Sequence, residues 1–257
     1  METGYAFECG TSGCFSAVSR GEVQVWFTEL DQPDAVVRRL EEVLCPDEQR
    51  RAMQFRFQRD RQRFIVARAV LRDLLGRYLG TQPRNILFQY GEFGKPSLAG
   101  GLEASQLQFN VSHSGNGALY AVGQGWKVGA DVEFIRPFAD MHNVAYECFS
   151  ADENAALISL PECDQLRAFF DGWTRKEAYL KAEGYGLSCS TRAFEVSLAP
   201  GTGPRALTLF HQDRPWTLIS LAPRPEFSAA VVVEGPEPRV RFTEWMVDGH
   251  EPYWEPD

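Results

Sequence analysis

At 257 residues, 44% of them hydrophobic, the chain has enough apolar side chain to bury one large core or two small ones. No uninterrupted apolar run reaches membrane-spanning length, and Met1-Glu2-Thr3-Gly4-Tyr5 lacks the basic start and apolar centre of a secretory signal, so a cytoplasmic protein without membrane association is expected. The net charge of −9 argues against a general nucleic-acid binder, and six cysteines with no CxxC pair beside four scattered histidines indicate neither a zinc site nor a disulfide framework.

In chain order, residues 1–20 carry Gly, Ser, Cys and Thr without period and read as an irregular arm. Val23, Val25 and Phe27 alternate as in a strand, and Pro33 with Asp34 opens a short helix to Leu44. Pro46 starts another helix. From Gln58 to Leu79 the apolar residues Phe64, Ile65, Val70, Leu71, Leu74, Leu75 and Tyr78 recur at helical spacing. Nine arginines against two aspartates between Arg50 and Arg77 make this a basic segment in an acidic chain, which suits one localised anionic ligand; a solvated charged face is the plain alternative.

Strands follow at Ile86 to Tyr90, Leu107 to Val111 and Ala118 to Val122, the first leading into a turn at Gly91 to Pro96. A second strand-led unit begins at Trp126, with a strand from Val128 to Phe134, helices from Asp152 to Leu160 and Cys163 to Ala182, and strands near Ala193 to Leu198, Ala206 to Phe210, Trp216 to Leu221 and Ser228 to Val233. Both halves read strand, helices, strands, which hints at a duplication joined near Gly123 to Gly125 and divides the chain into 1–124 and 125–257. The tail from Glu234 to Asp257 reads as a wrapping or loose extension.

Four stretches carry chemistry. Gly94-Lys95-Pro96 is a turn presenting one lysine. Asn110-Val111-Ser112-His113-Ser114 ends a strand with short hydrogen-bonding side chains that suit phosphate oxygens; adjacent Ser and His on a strand face opposite ways, so a hydrolase pair is rejected. Asp131 and Glu133 share one face of their strand, and their repulsion is relieved by protons or by a hard cation such as Mg²⁺, unless that face is simply solvated. In the last helix, Glu177 and Lys181 interrupt the stripe of Leu166, Phe169, Phe170, Trp173 and Leu180, and Gly184 and Gly186 mark its end. Each stretch alone has an ordinary structural reading.

Taken together, in this order and spacing from about Cys45 to Leu187, these motifs resemble the Sfp-type 4′-phosphopantetheinyl transferases. The resemblance implies an α+β fold, a pseudo-dimer of two similar α/β subdomains with the active site between them. It implies transfer of the phosphopantetheine arm of coenzyme A to a serine of an apo acyl or peptidyl carrier protein, with release of 3′,5′-ADP. By similarity Asp131, Glu133 and Glu177 hold Mg²⁺, with Mn²⁺ as an alternative. Glu177, or a water it orients, takes the serine proton, and Lys181 contacts the pyrophosphate. Ser112 and His113 match positions that bind CoA phosphates, Lys95 and Pro96 the turn beside adenine and ribose phosphate, and Arg63 a basic CoA contact. Arg51 and Arg68 are further cations of that kind, and Lys176 is placed in the nucleotide site. The carrier is received by the segment from Phe138 to Phe149, where Phe138, Met141, Val144 and Tyr146 offer apolar surface or pack inward. A monomer is expected, since the duplication supplies both halves of the site. A Mg²⁺-dependent nucleotide hydrolase and an inactive CoA- or carrier-binding module remain as alternatives.

Overall fold

The computed structural model describes residues 8–10, 17–184, 190–199, 206–211, 214–235 and 238–246. Its strands are β1 (Glu8–Gly10), β2 (Glu22–Glu29), β3 (Phe88–Tyr90), β4 (Pro96–Leu98), β5 (Leu107–Ser114), β6 (Gly117–Gln124), β7 (Val128–Phe134), β8 (Ala206–His211), β9 (Arg214–Leu221), β10 (Phe227–Glu234) and β11 (Arg239–Glu244). Its helices are α1 (Asp34–Glu41), α2 (Pro46–Met53), α3 (Gln58–Leu79), α4 (Met141–Cys148), α5 (Ala151–Ser159) and α6 (Glu162–Glu183).

One sheet has the order β1-β11-β2-β6-β5 and the other β7-β10-β9-β8, with β3 and β4 forming a separate hairpin. Setting β1 and β11 aside, the two sheets share a pairing order, all antiparallel: β2-β6-β5 in one half and β7-β10-β9 in the other. The duplicated order of elements is therefore also a duplicated strand order.

The sheets pack face to face. Val23, Val25, Phe27, Leu119 and Ala121 of the first meet Val128, Ala130, Val132, Ala229 and Val231 of the second in one dry cluster. Outside the first sheet, Ile65, Val70, Leu71 and Leu74 of α3 cover Trp26, Tyr120 and Val122, and the Tyr120 hydroxyl donates to Ala67 O at 2.9 Å. Outside the second, Phe169, Ala178, Tyr179 and Ala182 of α6 cover Trp216, Leu218, Ala230 and Val232. A four-layer helix, sheet, sheet, helix stack results, which explains why most of the strands are buried on both faces.

Two expectations change. The extended piece from Ala193 to Leu198 is not a ladder strand. It leaves a 3₁₀ turn at Thr191–Ala193, and its backbone is held by side chains: Val196 N donates to Glu153 Oε1 at 2.7 Å and Phe194 O accepts from Lys176 Nζ at 2.6 Å. The tail is not a loose extension over residues 238–246. Its β11 enters the first sheet parallel to β2, flanked on its other side by β1, and Trp245 is buried with its indole N–H on Asp73 Oδ2 at 3.0 Å. This tail strand therefore crosses back from 125–257 into the first subdomain. Residues 185–189 and 247–257, where Gly186, Leu187 and the end of the tail fall, lie outside the described residues.

Candidate functional site

The site forms where two sheet edges meet. β5 and β7 are edge strands of different sheets, and their facing edges are joined by side chains rather than by a ladder. From Asn110 onward every second residue of β5 takes part. Asn110 Oδ1 accepts from Ala130 N at 3.0 Å, Ser112 Oγ donates to Asp131 Oδ1 at 2.8 Å, and Ser114 Oγ donates to Glu133 Oε2 at 2.5 Å. Asn110 and Ser114 were legible as polar residues of the motif, but only the alternation against β7 reveals that they orient the neighbouring strand and its carboxylates.

Helix α6 closes the site from the far side of β7. A Cβ on Gly129 would run into the Ala178 carbonyl oxygen and Ala182 N, so glycine there lets the helix lie directly on the strand. Glu177 and Lys181 then project beside Asp131 and Glu133. Lys181 Nζ is 2.5 Å from Asp131 Oδ1 and donates to Ser112 Oγ at 3.0 Å. The Trp173 indole, one turn before Glu177, adds a hydrogen bond to Glu133.

Three carboxylates share this crevice, and all three are pushed above their usual range. Burial is the first cause for each; Asp131 adds repulsion at Glu133, and both add it at Glu177, while Lys181 opposes the shift throughout. Asp131 Oδ2 and Glu177 Oε1 are buried without a hydrogen-bond partner. Uncommitted, water-excluded carboxylate oxygens carry a desolvation cost that a hard divalent cation would remove. Among the described residues no three His, Cys, Asp or Glu side chains are gathered closely enough to form a metal centre by themselves. A pair of protein carboxylates suits a Mg²⁺ ion that completes its shell with phosphate and water.

His113 and Arg51 stand at the same crevice. Partial desolvation and then the Lys181 charge hold the imidazole below its ordinary value, with Arg51 adding to the effect, which favours the neutral ring that can accept as well as donate. Arg51 is exposed, its guanidinium 5.6 Å from the centre of the Phe64 ring.

Other expected ligands are committed elsewhere. Arg63 forms a two-pronged pair with Asp31, at 2.6 and 2.7 Å, and donates to Gly115 O at 2.7 Å, which ties the β5–β6 turn to α3. Arg68 hydrogen-bonds Glu48 and the Tyr90 hydroxyl and lies over Phe88 at 4.3 Å, next to the buried Arg72, whose Nε is 2.6 Å from Glu48 Oε2. Lys95 is turned onto the end of α6, and Pro96 begins β4 beside it.

Lys176, expected in the nucleotide site, is also committed elsewhere. It is fully buried, paired with Glu153 Oε2 at 2.8 Å, and it donates to Thr191 O at 2.7 Å and Phe194 O at 2.6 Å. One residue along a helix is about 100° of rotation, which points Lys176 away from the crevice that Glu177 faces. Lys176→Met is accordingly expected to cost about 3–5 kcal/mol in denaturant unfolding by leaving Glu153 buried and unpaired, with the Kd for CoA unchanged. Weaker CoA binding at unchanged stability would return Lys176 to the nucleotide site.

In the segment expected to receive a partner, Phe138 packs against Phe169 and Phe170, with ring centres 5.4 and 6.1 Å away, and Met141 is buried. Only Tyr146 of the four residues is broadly exposed, at 64%. No helix among the described residues is long and apolar enough to cross a membrane.

Comparison with known proteins finds matches in both halves of the chain. Residues 127–232 match the model of the 4′-phosphopantetheinyl transferase superfamily, and residues 32–124 match that of the N-terminal part of a 4′-phosphopantetheinyl transferase. The chain is 41% identical to the 4′-phosphopantetheinyl transferase HetI of Nostoc sp. over 215 residues, covering 83% of this chain and 88% of that one. It is 31% identical to psf-1 of Bacillus pumilus over 72% of this chain and 76% of the relative, and 27% identical to Sfp of Bacillus subtilis over 60% and 66%. With matches in both halves, and with the shared edge and the carboxylate-bearing helix inside the matched length, the chain belongs to the 4′-phosphopantetheinyl transferase superfamily and is a transferase of that kind.

Proposed function

We propose that this protein moves the 4′-phosphopantetheine arm of coenzyme A onto a serine hydroxyl of an apo acyl or peptidyl carrier protein, and that Asp131, Glu133 and Glu177 serve a Mg²⁺ ion in doing so. The observation that supports this most directly is the pair of buried, partnerless oxygens on Asp131 and Glu177, set beside the Lys181 ammonium. Mg²⁺ bound there would neutralise the pyrophosphate charge that grows as the phosphoanhydride breaks.

The chain's own groups account for the remaining steps. The carrier serine oxygen attacks the β-phosphorus of CoA, a new P–O bond forms, and the bond to 3′,5′-ADP breaks. The serine proton passes to Glu177 or to a water that Glu177 holds, and burial beside Asp131 and Glu133 raises the proton affinity of this carboxylate. Lys181 has three N–H donors, and among the described residues Asp131 and Ser112 take two of them, so a third can reach the departing phosphate oxygen. Neutral His113 and exposed Arg51 face the anionic nucleotide at the crevice mouth. Arg63, with Asp31 as its present partner, could add to this face only by giving up that pair. A carrier docking beside α4 would meet the exposed Tyr146 ring. The protein acts in this reading as a monomer.

The test is the intact mass of an apo carrier protein incubated with this protein, CoA and Mg²⁺, beside a control with EDTA. The expected result is a gain of one phosphopantetheine arm in the presence of metal and none with EDTA. Release of 3′,5′-ADP without any carrier would favour a hydrolase instead, and CoA binding with neither product would favour a binding module.

A further inference from the structure

Helix α6 carries both Glu177 and Lys181 in its last two turns, and how its end is held decides where those groups stand. A helix leaves its last four carbonyls without intrahelical partners. Here Gly184, at φ 82°, turns its N–H back onto Leu180 O at 2.9 Å. The next two carbonyls are taken by a residue from the other half of the chain. Lys95 Nζ donates to Lys181 O at 2.5 Å and to Ala182 O at 3.3 Å, and also to Val128 O, at the start of β7, at 3.3 Å.

The turn that delivers Lys95 is itself braced. Gly91 N donates to Lys95 O at 3.0 Å and Gly94 N to Gly91 O at 2.9 Å, and Gly94 sits at φ 76°, open to glycine and unfavourable for other residues. An ammonium at a helix C-terminus also meets the negative end of the helix dipole. Burial, with a smaller contribution from Lys127 and opposition from Glu183, lowers the Lys95 pKa to about 8, which leaves the group mostly charged at pH 7.

We propose that Lys95 is a positioning residue, a cap supplied by the first subdomain to the catalytic helix of the second, which fixes the end of α6 against the start of β7 and so sets Lys181 and Glu177 against Asp131. Its three N–H donors match three carbonyls and leave none for a phosphate. Lys95 thus acts on the reaction through α6 rather than by touching the nucleotide. The kinetic consequences rest on the transferase reading above; the cap itself does not.

Lys95→Met and Lys95→Arg test this in the full chain. Hydrogen exchange of the last α6 amides, measured on the protein alone, is expected to quicken by about tenfold or more in Lys95→Met and to stay near wild type in Lys95→Arg, whose guanidinium retains donors. In carrier-modification assays kcat should fall about tenfold in Lys95→Met while the Kd for CoA, by calorimetry, stays within about twofold. Unchanged exchange in Lys95→Met overturns the cap, whatever reaction the protein performs. A Kd for CoA weakened about tenfold with kcat preserved overturns it in favour of a direct nucleotide contact. If Lys95→Met does not fold, Lys95→Arg decides: near-native exchange and CoA affinity support the cap, and native exchange with lost CoA affinity refutes it.

Discussion

Glu177→Gln is expected to lower the rate of phosphopantetheine transfer by about 10³-fold or more while leaving CoA binding within a few fold, because on the proposed reading it removes both a proton acceptor and a cation ligand without changing side-chain shape. Stability should move the other way. In the folded chain Glu177 is partly buried beside Asp131 and Glu133, and burial and their repulsion together raise its pKa. A raised carboxyl pKa means that ionised Glu177 costs folding free energy above its unfolded pKa, and a neutral amide escapes that cost. The variant should therefore melt at or above the wild-type temperature at pH values above the ordinary carboxyl range. A fall in rate joined to a gain in stability cannot come from a folding defect. The rise in melting temperature that Mg²⁺ gives the wild type should also shrink in the variant. Transfer at the wild-type rate would remove Glu177 from both roles, and an equal loss of CoA affinity would make it a nucleotide ligand instead.

Much of the frame was legible because it follows from local periodicity. The span Gln58–Leu79 reads as a helix from its apolar spacing and ends in Gly80 at φ 61°, and Val128–Phe134 reads as a strand from its alternation, which also places Asp131 and Glu133 on one face. What periodicity does not contain is the partner each polar group finds. Lys176 and Lys181 sit on one helix, and only packing shows that the first is spent on Glu153 and the second faces Asp131. Arg51 and Arg68 belong to one basic region, yet the first is exposed near His113 and the second is consumed by Glu48 and Tyr90. The resemblance sets Lys95 in the turn beside the nucleotide; that the end of a helix more than eighty residues later lies within its reach is a fact of tertiary structure. The tail strand β11 was hidden for a similar reason. Val240 and Phe242 do alternate, but a six-residue run beside a tail rich in Pro and Glu gives no sign that it will join a sheet formed by the start of the chain.

Gly129→Ala should be strongly damaging, because among the described glycines an added Cβ makes its closest backbone approach at Gly129. In an ordinary strand the change would help slightly, by about 0.5–1 kcal/mol, because alanine loses less freedom on folding than glycine. At Gly129 the new Cβ would overlap the Ala178 carbonyl oxygen and the backbone of Ala182, atoms that cannot rotate away as a side chain could. Relief requires α6 to lift off β7, and overpacking of that kind costs about 1–3 kcal/mol or more, so the unfavourable term wins. The lift acts on the segment that carries Glu177 and Lys181, so it separates them from Asp131, and a displacement of about 1 Å at reacting groups lowers rates by about 10²-fold. Gly123→Ala is the control. It lies in β6 at a buried strand position, but its Cβ would meet the Val23 side chain at 3.6 Å, an ordinary contact, and both activity and melting temperature should stay near wild type. Transfer rates measured well below the melting point of each variant separate displacement from unfolding. Gly129→Ala with native activity would show that α6 and β7 can part without disturbing the site, and the account of the crevice given by their close contact would fail.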